Sequence, residues 1–201
     1  MYISHTFYRL LIVISFLFIS VSLLAEPTLE EVVVSARKVD ESVQDVPIAM
    51  SVFTSSDISD AGIERPEDFI ALTPNVVMAN TVNVGDTLVT IRGLTSTRDA
   101  ESNFAFVVDG VLQTNPNAFN RELLDIAQIE VLKGPQGALY GRNATSGAIL
   151  ITTKAPSEES ESTAVIGMGV NNASKLQYVN SGKMGDNVYT RFSVSTRETD
   201  G

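Results

Sequence analysis

The sequence predicts an α+β domain over residues 46–156, followed from residue 157 by antiparallel β-strands. Before residue 156, short apolar runs alternate with short amphipathic segments, and Gly, Pro and Asp-Gly turn signals separate them. After residue 157, three runs of roughly ten residues place apolar and polar side chains on opposite faces. A separate apolar segment precedes both regions. These patterns divide the chain into a leader, a polar segment, an α+β domain and a β-sheet region.

Residues 1–25 have the composition of a secretory signal peptide. A start that carries Arg9 is followed by an uncharged apolar run over residues 10–24, and the small residue Ala25 comes next. An uncleaved membrane anchor is the alternative, although the run is shorter than the roughly 20 residues of a spanning helix. Under either interpretation the rest of the chain leaves the cytoplasm, where ATP is available.

Residues 26–45 are polar except for the sequence EEVVVSA at residues 30–36. Consecutive valines favour an extended chain, and the charged surroundings predict a mobile segment. A β-prone stretch in a mobile segment suits pairing with the sheet edge of another protein. It also suits an ordinary first strand of the following domain, and the composition does not separate these two alternatives.

Residues 46–156 contain the signals of short strands and helices. Residues 46–54 alternate as a half-buried strand does, and residues 55–62 predict a helix capped by Ser and closed by Gly62. Pro66 suits the first turn of a second helix that ends at Leu72. Further strands are predicted at residues 75–79, 87–93, 103–110, 129–134 and 147–154, with a helix or turn at 119–128 and a hairpin turn at Asp109-Gly110.

Residues 157–201 begin with an acidic linker and continue with three predicted strands. In the last strand, apolar and Thr side chains share one face, while Arg191 and Arg197 lie on the other. This pattern fits a transmembrane β-barrel or a soluble antiparallel meander, and the export signal favours the barrel. Three strands cannot close a barrel in lipid, so we expect a fragment or the product of a truncated reading frame.

The composition excludes several classes of function. The net charge of −10 argues against general nucleic-acid binding. The chain has no Cys, and its single histidine is His5, so disulfide scaffolds, histidine-based triads and multi-histidine metal sites are excluded. The acidic residues show no metal-loop spacing. We therefore expect no metal, no cofactor and no enzymatic activity.

Within residues 129–154, a glycine-rich basic loop lies between two predicted strands, which raises the possibility of a phosphate site. A phosphate loop needs Gly-Lys-Ser/Thr after its first glycine, and here Lys133 precedes Gly134. We interpret Gly134-Pro135 as a turn, and Gly141 and Gly147 as positions where a Cβ would obstruct tight reversal of the chain.

The sequence resembles the N-terminus of TonB-dependent outer-membrane receptors of Gram-negative bacteria, from Glu30 to Gly201. The resemblance rests on EEVVVSA, DVPIAMSVFT, LTPNVVM, TIRGL, FVVDGV and IEVLKGPQGALYGRNATSGAILITTK. It implies a plug domain at residues 46–156 inside an outer-membrane barrel of about 22 strands. It also implies partnership with TonB and its inner-membrane motor, and uptake of a ferric siderophore or another iron complex. Vitamin, haem and glycan ligands stay open, as does a stand-alone plug acting as a periplasmic module or a non-functional truncated product.

The resemblance also implies roles for individual residues. Arg92 and Lys133 match plug positions that pair with acids of the barrel wall, although a local pair of Lys133 with Glu130 is an alternative. The TonB box, the strand that would add to a sheet edge of TonB, is assigned to Glu31, Val32, Val33, Val34, Ser35 and Ala36. Ligand-facing loop positions are Asn80, Asn83, Thr95, Arg98, Asn103, Gln113, Asn117 and Phe119.

Overall fold

The computed structural model of the chain describes residues 31–80, 87–96 and 101–200. The predicted signal peptide and the predicted loop residues Asn83 and Arg98 lie outside these ranges. Within them, no helix has the length and apolar character needed to cross a membrane.

The strands are β1 (Val33–Val34), β2 (Glu41–Ser42), β3 (Met50–Thr54), β4 (Val76–Asn80), β5 (Thr87–Ile91), β6 (Leu94–Thr95), β7 (Phe104–Val108), β8 (Val111–Leu112), β9 (Ile126–Lys133), β10 (Gly147–Thr153), β11 (Glu161–Met168), β12 (Ser174–Lys183) and β13 (Tyr189–Glu198). The helices are α1 (Ser55–Asp60), α2 (Pro66–Ala71) and α3 (Gly137–Tyr140), with a 3₁₀ turn at Pro116–Ala118.

The central element is a mixed sheet with the strand order β3-β9-β10-β7-β8. Strand β10 pairs in parallel with β7 and antiparallel with β9, and β3 closes one edge against β9. Ile129 and Val131 of β9 face one apolar cluster, and Leu132 faces the other. Because both faces are covered, the central strands consist of nearly continuous apolar residues.

The first face of the sheet carries the larger core. Phe69 of α2 and Ile91 of β5 are fully buried on it. The ring of Phe119 packs edge-on against Phe104 and Phe106, with centroids 5.2 and 5.0 Å apart. Such T-shaped pairs add about 1 kcal/mol each beyond their buried area. A second small sheet, with the order β4-β5-β6, packs its β4 and β5 side chains into the same core.

Helix α1 begins at Ser55, within the predicted segment 55–62, but its cap is a threonine and not the predicted serine. Thr54 is the N-cap: its hydroxyl accepts from the Asp57 amide, and the Asp57 carboxylate accepts from the Thr54 amide at 2.8 Å. This is a complete capping box. These hydrogen bonds hold the pKa of Asp57 below its ordinary value. Pro66 opens α2 as predicted.

The segment 119–128 differs from the predicted helix or turn. It contains no helix, and its last residues already belong to β9, which starts at Ile126. The predicted hairpin turn is confirmed, since Asp109 and Gly110 both have positive φ between β7 and β8. The glycine-rich loop contains a feature that the sequence did not predict, the single-turn helix α3.

Strands β11, β12 and β13 form a separate antiparallel sheet with the predicted alternation. Ile166, Met168 and Phe192 on its outer face are 60–90% exposed. Lys175 and Arg197 are opposite each other in register on the inner face, with Arg191 further along β13. The sheet therefore has one apolar face and one polar, basic face, and the basic face is turned toward the α+β domain.

Candidate functional sites

The predicted TonB box lies on the second face of the mixed sheet. Its strand β1 forms a hairpin with β2, and Val34 and Ala36 are 1% and 0% exposed. Ala36 packs in the same apolar cluster as Leu132 and the Tyr140 ring. The structure thus differs from the predicted mobile segment, because residues 33–36 cover apolar surface that would otherwise face water.

Side chains of the sheet hold the backbone of this segment. The Val33 carbonyl accepts from Gln128 Nε2 at 3.0 Å. The Ser35 amide donates to Glu130 Oε1 at 3.1 Å, and the Ser35 hydroxyl donates to the same oxygen at 3.3 Å. The Tyr140 hydroxyl donates to the Ala36 carbonyl at 2.8 Å. Four contacts from β9 and α3 therefore hold the box region at Val33, Ser35 and Ala36.

Glu130 is the unusual member of this group because it is an acid in the middle of a sheet. It is 2% exposed, and its Oε2 has no hydrogen-bond partner among the described residues. Burial raises the pKa of Glu130, and the hydrogen bonds from Ser35 oppose that shift. Burial also raises the pKa of Tyr140 to about 12, with the charge of Glu130 as the second cause. The alternative pairing of Glu130 with Lys133 is absent among the described ion pairs.

Arg92 and Lys133 lie side by side at one end of the domain. Arg92 occupies the β5–β6 turn with φ of 51°, and its amide donates to the Asn75 carbonyl at 2.9 Å. A Cβ added at Gly134, next to Lys133, would lie 3.2 Å from the Arg92 guanidinium. Partial burial lowers the pKa of Lys133, and the charge of Arg92 lowers it further. Within the described ranges neither side chain has an acidic partner.

A second charged contact joins the α+β domain to the three-stranded sheet. Arg191 of β13 makes a two-pronged contact with Asp125, including Nη2 to Oδ1 at 2.8 Å, and donates to Glu161 at 2.6 Å. Glu64 accepts from Lys175 and from Arg197, each at 2.8 Å. The sequence predicted that cations of the α+β domain contact the barrel wall. In the structure, acids of the α+β domain contact cations of the three-stranded sheet. Arg191 and Arg197 on the polar face of β13 were the feature of the sequence that could have indicated these contacts.

The predicted ligand-facing residues divide into two groups in the structure. Phe119 is a correction: it is 3% exposed and belongs to the core, so its ring cannot meet a ligand in a surface loop. Asn103 is structural, since its Oδ1 accepts from the hydroxyls of Ser96 at 2.9 Å and Ser146 at 3.0 Å. Phe119 and Asn103 therefore lie where the predicted ligand-facing loops meet the folded core.

Three of the other predicted positions, Thr95, Gln113 and Asn117, have exposed or half-buried side chains. Thr95 is exposed on β6 and accepts from Thr90 across the hairpin at 3.0 Å. Asn117 is exposed in the 3₁₀ turn. Gln113 is half-buried, and its Nε2 donates to the Val111 carbonyl at 3.2 Å. Asn80 is the last residue of β4.

The glycine-rich loop serves chain packing. A Cβ at Gly147 would lie 2.2 Å from the Leu132 carbonyl oxygen, so only glycine permits this approach of β10 to β9. Gly141 follows α3 with φ of 74°, a conformation that glycine adopts without strain. The predicted obstruction of a Cβ is therefore confirmed at Gly147, while Gly141 has open space around it.

The fold and these sites define a plug-type domain: a small mixed sheet whose flanking loops bind the polar face of an outwardly apolar β-sheet. Comparison with known families identifies it further. The family described as TonB-dependent Receptor Plug Domain matches residues 42–148, more than half of the chain. The chain belongs to this family, which places it in the outer membrane.

Relatives and solved structures agree with this membership. The chain is 31% identical over 132 residues to a pesticin receptor of Yersinia enterocolitica, covering 65% of this chain and 19% of the relative. It is 28% identical over 180 residues to the vitamin B12 transporter BtuB of Vibrio vulnificus, covering 87% of this chain and 28% of that protein. The crystal structure of the ferric yersiniabactin uptake receptor FyuA from Yersinia pestis superposes with a TM-score of 0.69 at 26% identity, over 74% of this chain and 24% of that one. The chain thus spans less than a third of the length of these relatives.

Proposed function

We propose that this chain is the plug-bearing part of a receptor that takes up a scarce ligand across the outer membrane with energy delivered through TonB. The observation that carries the proposal is the contact between loop residues of the plug and the basic face of strands β11–β13. Asp125 and Glu64 bind that face through three cations, so the plug lies on the side of the sheet away from its apolar surface. This arrangement suits a plug that occupies the lumen of a barrel.

The ligand that we propose is a ferric siderophore or another iron complex. Named relatives include a pesticin receptor and the catecholate siderophore receptor Fiu of Escherichia coli. Another named relative is a vitamin B12 transporter, so a corrinoid is the competing ligand. Thr95 and Asn117 are exposed polar side chains, and we propose that they face the ligand together with Asn80, Asn83, Arg98 and Gln113.

Arg92 and Lys133 are proposed to meet acids of the barrel wall. Two cations placed side by side repel each other, and an unpaired charge is costly where it is withdrawn from water, as Lys133 partly is. Their lack of acidic partners within the described residues is the reason to expect partners elsewhere in the receptor. Lysine cannot form the planar two-pronged contact that arginine forms, so we expect the Lys133 link to be the weaker one.

The proposed transport is tested with the complete reading frame that contains this chain, expressed in a strain that lacks its own iron-complex receptors. Uptake of radiolabelled ferric siderophores and of labelled vitamin B12 is measured with and without TonB. We expect iron uptake that disappears when TonB is deleted. Uptake of the vitamin alone would overturn the choice of ligand, and uptake that does not depend on TonB would overturn the coupling. Binding of a periplasmic ligand without any uptake would favour a stand-alone plug.

A further inference from the structure

Ser96, Asn103 and Ser146 form a buried polar cluster where three segments of the plug meet. Asn103 Oδ1 accepts from the Ser96 hydroxyl at 2.9 Å and from the Ser146 hydroxyl at 3.0 Å. The two serines are 6% and 1% exposed. Ser96 directly follows β6, Asn103 precedes β7 and Ser146 precedes β10. We name these three residues the polar junction.

The polar junction links the small sheet to the mixed sheet. The Ser96 amide donates to the Val89 carbonyl at 3.0 Å, so Ser96 closes the β5–β6 hairpin of the small sheet. Asn103 and Ser146 belong to adjoining strands of the mixed sheet, because the Ser146 amide donates to the Asn103 carbonyl at 2.9 Å. The hydrogen bond between the Ser96 and Asn103 side chains therefore joins one sheet to the other.

The polar junction adjoins the elements that carry the two cations of the plug. The Ser146 carbonyl accepts from the Gly134 amide at 2.9 Å, and Gly134 is the residue after Lys133. Arg92 lies in the turn of the β5–β6 hairpin, whose base Ser96 closes. The junction thus connects the turn that bears Arg92 with the strand end that bears Lys133.

Packing alone does not account for the two serines. Alanine would fill nearly the same space at both positions, and a buried hydroxyl costs free energy unless it is hydrogen-bonded. Closure of the chain between residues 103 and 146 is already provided by the backbone, since the Thr145 and Ser146 amides donate to the Asn103 carbonyl. The Asn103 side chain adds the connection to the second sheet.

The cation pair gives this connection a purpose. Arg92 and Lys133 repel each other, and the repulsion favours separation of the hairpin from the mixed sheet. Burial lowers the pKa of Lys133, and the charge of Arg92 lowers it further. In the described part of the chain no acid pairs with either cation. A contact that resists separation of the two sheets therefore keeps the pair together.

We infer that Asn103, through Ser96 and Ser146, is the positioning residue that holds Arg92 beside Lys133. This inference rests on the proposed function and deepens it, because it names the residues that set both cations for the acids of the barrel wall. Asn103 acts through the hairpin and does not itself contact the wall partner. Without the junction the apolar core still folds the plug, but the turn that bears Arg92 is free to move away from Lys133.

The test measures the ionisation of Lys133 in the chain in detergent. Competitive acetylation followed by mass spectrometry of peptides gives the labelling rate of each lysine against pH, and only the uncharged amine reacts. Lys183 is the reference, because it is exposed and lies on the other sheet. The unchanged chain is compared with variants that each remove one member of the junction: Asn103→Ala, Ser96→Ala and Ser146→Ala.

Asn103→Ala is expected to fold. The Ser96 hydroxyl keeps the Val89 carbonyl as an acceptor at 3.1 Å, and the Ser146 hydroxyl keeps the backbone carbonyl of residue 103 at 3.1 Å. Neither buried hydroxyl is left unpaired by the substitution. Urea unfolding confirms that each variant is folded before its lysines are labelled.

Two further variants calibrate the result. Arg92→Gln removes the neighbouring charge outright, and in that background Asn103→Ala should alter Lys133 labelling much less than it does alone. Ser181→Ala is the matched control, because this serine is also 1% exposed and its hydroxyl donates to the Thr190 carbonyl on the other sheet. It should leave the labelling of Lys133 unchanged.

We expect the pKa of Lys133 to rise toward its ordinary value of 10.5 in the three junction variants, because the charge of Arg92 moves away. The labelling profile of Lys133 then shifts to higher pH relative to that of Lys183, and the shift is largest in Asn103→Ala. An unchanged profile in the folded variants would overturn the positioning role, even if their urea midpoints fall.

The same variants of the complete reading frame are then tested for uptake. We expect Asn103→Ala to lose uptake as Arg92→Ala does, while Ser181→Ala keeps it. A shifted Lys133 profile with full uptake in Asn103→Ala would overturn the link between the junction and the wall contacts. Failure of the proposed function is distinguishable, because uptake by the unchanged receptor would then not depend on TonB, whereas the labelling does not depend on transport.

Discussion

The contact between Asp125 and Arg191 provides the sharpest test of how the plug is held. The two side chains are 9% and 12% exposed, so water screens their attraction poorly. Replacing Arg191 with Met removes both N–H donors to Asp125 and leaves that carboxylate buried without its partner. Removing one member of a buried pair costs about 3–5 kcal/mol. We expect a loss at the lower end of that range, about 3 kcal/mol, because one side of the contact is near solvent.

The same arginine also contacts Glu161, which gives an internal comparison. The Glu161 side chain is 52% exposed, and exposed pairs contribute about 1 kcal/mol or less. Glu161→Gln should therefore cost far less than Arg191→Met. Arg142→Met is the matched control, because Arg142 pairs with Glu101 at a site where the two side chains are 62% and 48% exposed.

The assay is urea unfolding of the chain in detergent, followed by circular dichroism because the chain lacks Trp. The free energies of unfolding, obtained from the urea midpoints, are compared for Arg191→Met, Glu161→Gln and Arg142→Met. The double variant Asp125→Leu with Arg191→Met should recover part of the loss, because an apolar pair leaves no unpaired charge. If Arg191→Met lowers the free energy of unfolding no more than Arg142→Met does, the contact between Asp125 and Arg191 does not hold the plug.

Three further predictions concern the plug itself. Thr54→Ala removes the cap of α1 and should lower the free energy of unfolding by about 1 kcal/mol. If thermal melts show less than one fifth of this loss, Thr54 does not act as a stabilising cap. Gly147→Ala forces a methyl group against the Leu132 carbonyl and should cost about 3 kcal/mol or prevent folding; a urea midpoint equal to that of the unchanged protein would contradict it. Glu130 has a raised pKa in the folded state, so its stabilising contribution is complete below its ordinary value of 4.5 and is lost as pH rises through the folded pKa. The urea midpoint should fall over that window and should do so less in Glu130→Gln; parallel pH profiles would contradict the assignment.

Local signals in the sequence predicted most strands of the plug. Residues 129–134 and 147–154 are β-branched and apolar runs bounded by glycine, and both proved to be central strands. The secondary structure of residues 119–128 was harder to predict, because Leu123, Leu124 and Ile126 suit a helix or a strand equally. Pairing with β3 and β10 decides the outcome, and such long-range pairing leaves no local signal.

The candidate sites were predictable only where a single residue type determines the outcome. Gly141 and Gly147 were both predicted as positions where a Cβ would obstruct the chain, and the structure shows that obstruction at Gly147 but open space at Gly141. Phe119 was misassigned because it stands in a polar stretch, while its ring reaches Phe69, Phe104 and Phe106 across the core. The valine-rich box was identified as a strand, but its contacts with Glu130 and Tyr140 span 95 and 104 residues. Contacts of that separation follow from the fold and not from spacing.

The position of Glu64 bears on the order in which the chain folds. Lys175 and Arg197 are direct neighbours across β12 and β13, and like charges placed opposite each other on paired strands disfavour the pairing. Glu64 accepts from both cations at 2.8 Å, so this carboxylate of the plug offsets the repulsion between them. We therefore expect strands β12 and β13 to pair more readily when the folded plug is present than in its absence.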